Sequence, residues 1–384
     1  MAKSEQQLKI GFILDGGLDK PDGVQQYILA LGNYFESLGH QIRYIVAGKV
    51  PDNIANVYSF SNSISVKSNG NKLSIPLLAS KKKIKNFLAK EYFDVLHVQV
   101  PYSPLMAERF IFLKDNKTAL IGTFHIIPNN KLLVLGDKLL GKWCYFSLKK
   151  FDQMLSVSYV AKEVCKRDFK TDSLYLPNVL NFSNFNEAKS SIKPSGKLRI
   201  LFFGRLVPRK GAKLLLEAIN ILINSDNELP EFEVIIAGQG PLKKDLESYV
   251  IKNNLENIVK FLGFIEEIDK PGLYASSDLS IFPANGGESF GIVLLEAMAS
   301  GKAAILAGNN AGYASVLRDK PELLFDPYDA NNLAHLIKEY LIDNKKRLEV
   351  ASWGEKFASN FDVQVVGNKL LDIYRDNVYK RKEV

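Results

Sequence analysis

The sequence predicts an α/β fold that consists of two doubly wound parallel sheets, one after the other. Short apolar runs alternate with longer segments in which apolar residues recur at helical spacing, as expected for strands joined by helices. This alternation starts near residue 8 and again near residue 199, each time with a glycine-containing loop after the first strand. A chain of 384 residues is long enough for two such domains.

The first series begins with a predicted strand at residues 8–14, followed by a glycine-containing loop and a helix that ends at Gly39. Residues 53–80 are polar and without a regular pattern, with a turn signal at Asn69. The polar run 177–196 is interpreted as a linker. Further strands are predicted at residues 42–46, 94–100, 118–124, 153–158 and 173–176.

The second series has the same alternation. A helix is predicted from about Asn331, and apolar residues at helical spacing place a last helix at the C-terminus. These patterns assign residues 1–182 to the first domain and residues 196–361 to the second. The predicted strands of the second series lie at residues 199–203, 233–237, 258–261, 278–283, 302–307 and 323–325.

The composition is that of a soluble globular protein with an excess of basic residues. Apolar residues make up 46% and charged residues 24% of the chain, and 50 Lys and Arg outnumber 42 Asp and Glu. The net charge of +8 favours anionic partners such as nucleotides, phospholipid headgroups or nucleic acid.

Compartment signals point to the cytoplasm. Two cysteines, Cys144 and Cys165, are too few for a disulfide framework, so reduced thiols are expected. The polar N-terminus is unlike a signal peptide, and no apolar run approaches the length of a transmembrane helix. We therefore expect a cytoplasmic protein whose contact with a membrane is peripheral, at the inner face of the cell membrane.

Residues 285–301 carry the strongest signal of a binding site. A predicted strand precedes them, glycines fill the turn, and Gly301 ends the helix that follows. Backbone N–H groups of such a turn can hold a diphosphate. Glu288 and Glu296 would repel phosphate, so we expect them to accept hydrogen bonds from sugar or ribose hydroxyls. The alternative is a turn whose glycines serve only the chain reversal, but the whole string favours a ligand site.

The loop 204–211 supplies two candidate phosphate ligands. Arg205 and Lys210 are well placed to clamp phosphates at the start of the next helix. The alternative interpretation is a pair of solvent-exposed cations. Two further glycine turns follow later strands, one beginning at Gly238 and one formed by Gly263 with Phe264.

Candidate residues in the first series are fewer. His125 stands at the carboxyl end of the strand at 118–124, where ligands bind in sheets of this type, although a structural hydrogen bond is the alternative. The first loop lacks the G-x-G-x-x-G spacing of a dinucleotide site, which argues against NAD. Gly23, at the start of the first helix, fits close approach of a phosphate or sugar as well as a plain tight turn.

A lysine-rich helix is the remaining candidate for a functional surface. Lys81, Lys82, Lys83 and Lys85 flank a short apolar stripe. A basic amphipathic helix can lie on an anionic membrane surface. A run of charges is more often a solvated helix face, and the residues alone favour that interpretation.

Taken together, these features resemble the retaining glycosyltransferases of family 4, which have the GT-B fold. The resemblance extends over essentially the whole chain and implies two Rossmann-like domains that face an interdomain cleft. It implies that the C-terminal helix 362–384 crosses back to complete the first domain, which binds the acceptor. The matching motifs, in the family's order, are Gly204-Arg205, Lys210-Gly211, the turn 238–241 and the E-x7-E pair of Glu288 and Glu296.

In that family the donor is a nucleotide sugar held mainly by the second domain. The resemblance assigns Glu288 to the donor sugar, Glu296 to the ribose, and Arg205 and Lys210 to the diphosphate. It implies that no metal or other cofactor is needed, because cations and a helix N-terminus neutralise the diphosphate. The implied donor-binding residues are Gly23, Gly204, Arg205, Lys210, Gly238, Gly263, Phe264, Glu288, Ser289, Phe290, Gly291, Ile292 and Glu296.

Within the family, the first half is similar to the phosphatidylinositol mannosyltransferases of actinobacteria. The similar stretches are residues 21–25, 123–125 and 287–293, with the lysine-rich helix before the strand at 94–100. This similarity implies that the helix with Lys81, Lys82, Lys83 and Lys85 docks on anionic lipid, which reverses the interpretation above. The implied acceptor-binding residues are Gln25, Asn69 and His125.

The sequence departs from that pattern at several positions. Asp22 replaces a glycine, and Val179 replaces a common glycine after Pro177 and Asn178. Ser68 and Ser74 stand roughly where an aromatic residue and an arginine are expected near the inositol phosphate. These differences concern the acceptor more than the donor.

The expected function is that of a retaining glycosyltransferase that moves mannose from GDP-mannose to a membrane lipid such as phosphatidyl-myo-inositol. Catalytic roles are implied for His125, Glu288, Arg205 and Lys210. A glucosyltransferase that uses a UDP-sugar and acts on diacylglycerol or a soluble saccharide is the alternative within the class. A GT-B nucleotide-sugar epimerase is another alternative. A basic nucleic-acid-binding protein is the last, but the lysines lack interleaved stacking aromatics.

Overall fold

The structure is a computed structural model that describes residues 6–18, 22–68, 71–125, 131–193, 195–225 and 228–383. The chain divides into two compact units. Unit 1 comprises Met1–Val179 with Val363–Val384, and unit 2 comprises Leu180–Asp362. Each unit has a parallel sheet between layers of helices, so the predicted doubly wound α/β class is confirmed.

Unit 1 is built on a mostly parallel set of strands. In chain order these are β1 (Lys9–Leu14), β2 (Gln41–Ala47), β3 (Val57–Ser61), β4 (Ser63–Ser68), β5 (Asn71–Pro76), β6 (Val95–Gln99), β7 (Ala119–Phe124), β8 (Gln153–Ser156) and β9 (Leu174–Tyr175). Its helices are α1 (Gly23–Ser37), α2 (Lys81–Glu91), α3 (Met106–Leu113), α4 (Lys131–Trp143), α5 (Tyr145–Leu148), α6 (Tyr159–Phe169) and the C-terminal α15 (Val363–Glu383).

The main sheet of unit 1 has seven strands in the order β3-β2-β1-β6-β7-β8-β9, and all neighbours are parallel. α1 and α15 cover one face, around the buried Phe12, Phe35 and Tyr374. α2, α3, α5 and α6 cover the other face, around Ile84 and Phe110 and then towards β9. The strand order reverses between β1 and β6, so the helices that follow these two strands cover opposite faces, and a crevice is expected at the carboxyl ends of the strands.

Residues 53–80 were expected to be irregular, and this expectation is wrong. They form β3, which joins the main sheet beside β2, and an antiparallel pair of β4 and β5 with Ser68 opposite Asn71. β4 contains no apolar run, because Ile64 and Val66 alternate with serines. Such a period-2 alternation is typical of a strand with one apolar face. Asn69, at the predicted turn between β4 and β5, lies outside the described residues.

Unit 2 follows the same plan. Its strands are β10 (Leu198–Phe203), β11 (Phe232–Ala237), β12 (Val259–Gly263), β13 (Leu279–Phe282), β14 (Ala304–Gly308) and β15 (Leu324–Phe325). They form a parallel sheet in the order β12-β11-β10-β13-β14-β15, which reverses between β10 and β13. Its helices are α7 (Phe182–Asn186), α8 (Ala212–Ser225), α9 (Lys243–Lys252), α10 (Lys270–Tyr274), α11 (Ile292–Ala299), α12 (Ala311–Val316), α13 (Ala330–Ile342) and α14 (Asn344–Ala358).

The run 177–196, interpreted above as a linker, contains the boundary between the two units after Val179, and its later part packs on unit 2. The N–H of Leu180 donates to the carbonyl of Phe361 at 3.0 Å, and the short helix α7 follows. Phe185 of α7 is buried beside Tyr274, with ring centroids 6.0 Å apart. The apolar residues within this polar run therefore anchor it to the core of unit 2.

A buried histidine joins the C-terminal helix to the sheet of unit 1. His97 in β6 has Nδ1 2.5 Å from the hydroxyl of Tyr374 in α15 and Nε2 2.6 Å from the hydroxyl of Thr123 in β7. Burial, with a smaller contribution from the nearby His125, lowers the pKa of His97 from 6.5 to about 3. The imidazole is therefore neutral at physiological pH.

We expect His97 to make unit 1 less stable in acid. The pKa of His97 is lower in the folded state than in the unfolded state. Between pH 6.5 and about pH 3 this histidine is therefore protonated in the unfolded chain and neutral in the folded chain. The stability that the neutral ring contributes is thus lost as the pH falls through this window, by up to about 1.4 kcal/mol per pH unit. Hydrogen exchange of β6 and β7 at pH 7 and pH 5, corrected for intrinsic rates, measures the loss.

The matched variants for this test are His97→Gln and His335→Gln. His335 is exposed on α13 of unit 2, so its replacement should leave the pH dependence of unit 1 unchanged. His97→Gln should make this dependence less steep, while His125, whose pKa is also about 3, keeps its own contribution. An equally steep dependence in His97→Gln would contradict the role given to this histidine.

Candidate active site

The loops that follow β10 and β13 meet at the point where the strand order of unit 2 reverses. Gly211 ends the first loop with φ at +75°, and a Cβ there would lie 2.1 Å from the carbonyl oxygen of Pro283. Only glycine fits this contact. The N–H of Asn285 in the second loop also donates to the carbonyl of Arg209 at 3.0 Å. The two loops are therefore held backbone to backbone.

Glu288 forms an ion cluster across these two loops. Its Oε1 lies 2.5 Å from Nη1 of Arg209 and 2.9 Å from Nζ of Lys210. The three side chains are largely shielded from solvent, which strengthens their mutual attraction. Lys210 and Glu288 come together because β10 and β13, the strands before their loops, are neighbours in the sheet.

Arg209 was missed from the sequence. The turn Pro208–Lys210 is a single turn of 3-10 helix, and both of its basic residues reach Glu288. The sequence signal that could have identified Arg209 is its position as a second cation directly before Lys210. Arg205, predicted as a phosphate ligand, is exposed, and its pKa is lowered by partial burial and by the nearby Arg209. Arg205, Arg209 and Lys210 together outnumber the carboxylate of Glu288, and this excess of positive charge is suited to an anion.

Glu296 lies in a separate polar cluster, buried in α11. The hydroxyl of Tyr274 donates to its Oε2 at 3.1 Å, and Nζ of Lys270 lies 3.7 Å from its Oε1. Burial raises the pKa of Glu296, while Lys270 acts in the opposite direction. Neither α10 residue was predicted, because their contact with Glu296 depends on tertiary packing.

The start of α11 has the features of an anion site. Gly291, with φ at +101°, precedes the first residue of the helix, Ile292. The first N–H groups of a helix lack partners in the preceding turn and carry the positive end of its dipole, so this terminus can hold an anion. Ser289 is half-buried, whereas Phe290 is buried and packs against Phe361, so its side chain serves the core.

The other predicted donor glycines of unit 2 surround the same edge of the sheet. Gly204 directly follows β10, and its N–H donates to the carbonyl of Ala237 at 3.0 Å. Gly238 follows β11 and donates to Gly263, at the end of β12, at 2.7 Å. Phe264 is exposed beside them. These residues line the carboxyl edge of the sheet in strand order.

In unit 1, His125 pairs with a glutamine that was not predicted. Its Nε2 lies 2.7 Å from Oε1 of Gln99, the last residue of β6, and its ring meets Tyr27 edge to face. An amide oxygen only accepts, so Nε2 must carry the proton and Nδ1 is the acceptor of the ring. Burial lowers the pKa of His125 from 6.5 to about 3, so it is a very weak base.

The remaining predicted residues of unit 1 lie beside the crevice between β1 and β6. Gln25 is buried, and its Nε2 donates to the carbonyl of Gly17 at 2.6 Å. Gly23 begins α1, with open space around the position of a Cβ. Asp22, which departs from the pattern of the resembling enzymes, caps α1 by accepting from the N–H groups of Val24 and Gln25, each at 3.0 Å.

The lysines of α2 all point to solvent. Lys81, Lys82, Lys83 and Lys85 are exposed, while Ile84 is fully buried in the core. No helix in the described parts of the chain combines the length and apolar character needed to span a bilayer. Among those same residues, no group of three or more His, Cys, Asp or Glu side chains is arranged to hold a metal ion.

Two family models match consecutive parts of the chain. The model described as Glycosyltransferase Family 4 matches residues 21–178, and Glycosyl transferases group 1 matches residues 183–357. The two matches follow the division into unit 1 and unit 2. The chain belongs to the GT-B glycosyltransferases. The sequence-based prediction of this family, fold and enzyme class is confirmed.

Individual relatives of this glycosyltransferase align along nearly its whole length. Phosphatidyl-myo-inositol mannosyltransferase of Mycolicibacterium smegmatis is 26% identical over 384 residues, which is 96% of this chain and 93% of the relative. A glycosyltransferase from Rickettsia africae has a TM-score of 0.75 at 18% identity and covers 97% of this chain and 99% of its own. Anabaena HepE, solved with UDP and glucose, has a TM-score of 0.72 at 18% identity, with coverages of 96% and 99%.

We expect Glu288→Gln and Lys210→Ala each to reduce turnover of the sugar donor severely. Loss of one preorganised charge contact typically costs about 10²–10³-fold in rate. Chromatography of the released nucleoside diphosphate measures the effect. Glu217→Gln and Lys213→Ala are matched controls, because these residues form a surface pair on α8 with 3.5 Å between Nζ and Oε1. Near wild-type turnover in a folded Glu288→Gln or Lys210→Ala variant would remove the cluster from the active site.

Proposed function

We propose that this enzyme transfers mannose from GDP-mannose to a membrane lipid such as phosphatidyl-myo-inositol, with retention of the anomeric configuration. Relatives named phosphatidyl-myo-inositol mannosyltransferase support the choice of sugar and acceptor, because they align with 96% of this chain. The single observation that carries the mechanism is the cluster of Glu288, Arg209 and Lys210.

The cluster offers a way to bind and activate the donor. The diphosphate of a nucleotide sugar would compete with the carboxylate of Glu288 for Arg209 and Lys210, since phosphate oxygens form strong charge-assisted hydrogen bonds with both. The cations and the N-terminus of α11 would then neutralise the charge that grows on the diphosphate as the bond from sugar C1 breaks. Glu288, once displaced, would accept a hydrogen bond from a sugar hydroxyl.

The remaining donor contacts follow from the second carboxylate and its partners. Glu296 would accept hydrogen bonds from the ribose hydroxyls, with Tyr274 and Lys270 holding the carboxylate in place. Arg205 would add positive potential beside the diphosphate, because it lies close enough to Arg209 for the two charges to interact. In this proposal Arg209, Tyr274 and Lys270 are positioning or binding residues in addition to those predicted from sequence.

His125 would orient the acceptor rather than take its proton. With a pKa of about 3, its imidazole is a far weaker base than a departing diphosphate oxygen. The acceptor oxygen would bond to sugar C1 from the face that the diphosphate leaves, and its proton would pass to the leaving phosphate oxygen. The exposed lysines of α2 would hold the enzyme at an anionic lipid surface, at about 1 kcal/mol each.

A thermal-shift panel of GDP, UDP, ADP and their sugars tests the donor. GDP and GDP-mannose at 100 times Kd should raise the melting temperature of unit 2 by about 5 °C or more, because they bind only the native state. Lys210→Ala should abolish the shift. A shift with UDP-sugars alone would replace mannose from GDP-mannose by a UDP-linked hexose. No shift with any nucleotide would contradict the proposed donor class.

The configuration of the first-formed product tests the mechanism. With GDP-mannose and vesicles that contain phosphatidylinositol, we expect an α-linked mannolipid, identified by the anomeric coupling in its NMR spectrum. His125→Ala should slow transfer while the GDP-induced thermal shift persists. A β-linked product would exclude retention, and full activity in His125→Ala would make this histidine structural.

A further inference from the structure

The helix pair α4–α5 has an outer face that is apolar although it lies in solvent. Leu135, Leu139, Trp143 and Phe146 are 56%, 59%, 71% and 73% exposed. Their spacing of four, four and three residues puts them on one side of the helix pair. A stripe of large apolar side chains in this position is unusual for a soluble surface, where such residues are scattered singly.

The inner face of the helix pair packs against the core of unit 1. Cys144 and Leu148 are buried in the core beneath α5. Gly141 of α4 is buried, and a Cβ there would lie 2.6 Å from the carbonyl oxygen of Asp168, so α4 packs closely on α6. The outer stripe is therefore a second apolar face, and the fold of unit 1 does not need it.

Cations surround the outer stripe. Lys138, Lys142, Lys149 and Lys150 are exposed, and residues 134–150 contain one acid, Asp137. Nζ of Lys149 lies 4.3 Å from the ring centroid of Tyr145, and Nζ of Lys150 lies 5.2 Å from that of Phe112 in α3. Phe112 is itself half exposed and extends the apolar surface onto α3.

We infer that the face formed by Leu135, Leu139, Trp143 and Phe146 inserts into the interfacial layer of an anionic bilayer. Tryptophan and tyrosine favour the headgroup level, leucine and phenylalanine favour the acyl boundary, and flanking lysines attract anionic headgroups. The occupant is a lipid surface rather than a protein, because the stripe is a convex helix face rimmed by lysines. Lysine is depleted at the core of protein interfaces.

This inference rests on the proposed function, in that it assumes an acceptor presented on a bilayer, and it assigns the apolar part of the membrane contact. α2, with its exposed lysines, and α5 both pack on the same face of the sheet, with α3 between them. His125 precedes the first residue of α4, Lys131, by six positions. The start of α4 thus lies within roughly 22 Å of His125, so insertion would bring headgroups close to the proposed acceptor site.

Tryptophan fluorescence tests the insertion directly. The chain has two tryptophans, Trp143 in α4 and Trp353 in α14 of unit 2, so Trp353→Phe leaves Trp143 as a single reporter. With vesicles of phosphatidylglycerol and phosphatidylcholine, we expect its emission to shift to the blue. Brominated acyl chains in the same vesicles should quench it. Vesicles of phosphatidylcholine alone should produce little of either effect.

Matched variants separate insertion from simple charge attraction. Leu139→Gln with Phe146→Gln should weaken vesicle binding by at least about tenfold, because two large apolar side chains no longer leave water. Leu348→Gln on α14 is the control, since Leu348 is 58% exposed on unit 2 and should not affect binding. Replacing Lys81, Lys82, Lys83 and Lys85 with Ser should weaken binding at low salt yet leave the blue shift intact at saturating vesicle concentration.

Several outcomes would overturn the inference. Trp143 emission that stays unchanged on vesicles that bind the enzyme would show a contact through lysines alone. Self-association that disappears in the Leu139→Gln, Phe146→Gln variant, without any quenching by lipid, would assign the face to a second copy of the chain. If either occurs while GDP-mannose is still turned over, this inference fails and the proposed function stands. Insertion without mannose transfer would support this inference and contradict the proposed function.

Discussion

Close backbone contact between the loops after β10 and β13 is the constraint on which the proposed active site depends. At Gly211 this contact leaves no room for a side chain, and it fixes Arg209 and Lys210 against the loop that contains Glu288. The strand order of unit 2 reverses at this point, so the two loops are adjacent while their following helices lie on opposite faces of the sheet. An anionic ligand in that crevice meets cations from one loop and a helix N-terminus from the other.

The two carboxylates of the E-x7-E motif lie in different surroundings. Glu288 lies against two cations in a partly shielded loop, whereas Glu296 is buried in α11 and has its pKa raised by that burial. In the proposed function a competing anion would rearrange the first cluster, since Arg209 and Lys210 would bind the diphosphate in place of Glu288. The second is held by Tyr274 and Lys270 within the core of unit 2 and suits fixed recognition of hydroxyl groups.

Much of the fold and part of the site can be predicted from the sequence, because both depend on local patterns. Apolar runs locate the central strands of the sheets, and the resemblance of several motifs taken together, among them Lys210-Gly211 and the pair of Glu288 and Glu296, predicts the glycosyltransferase family. The pattern misses whatever tertiary packing decides, such as the pairing of Gln99 with His125. It also misses β4 and β5, in which polar residues alternate with apolar ones and leave no apolar run.

The run 177–196 contains the boundary between the two units, as expected for a linker, but a few apolar residues are enough to anchor part of it to unit 2. Leu180 and Phe185 are buried in unit 2 although most of the surrounding run is polar. The outer stripe of α4–α5 illustrates the reverse case. A sequence pattern cannot separate an apolar face that packs inside from one that faces solvent, and the burial of Cys144 against the exposure of Trp143 makes the distinction.

The most direct test of the central claim is a crystal structure of the enzyme with the nucleoside diphosphate that binds it. The account predicts the diphosphate within hydrogen-bond distance of Nζ of Lys210 and of the guanidinium of Arg209, at the N-terminus of α11. It also predicts that Glu288 has moved away from both cations. A nucleotide bound elsewhere, with the contacts of Glu288 to Arg209 and Lys210 unchanged, would contradict it.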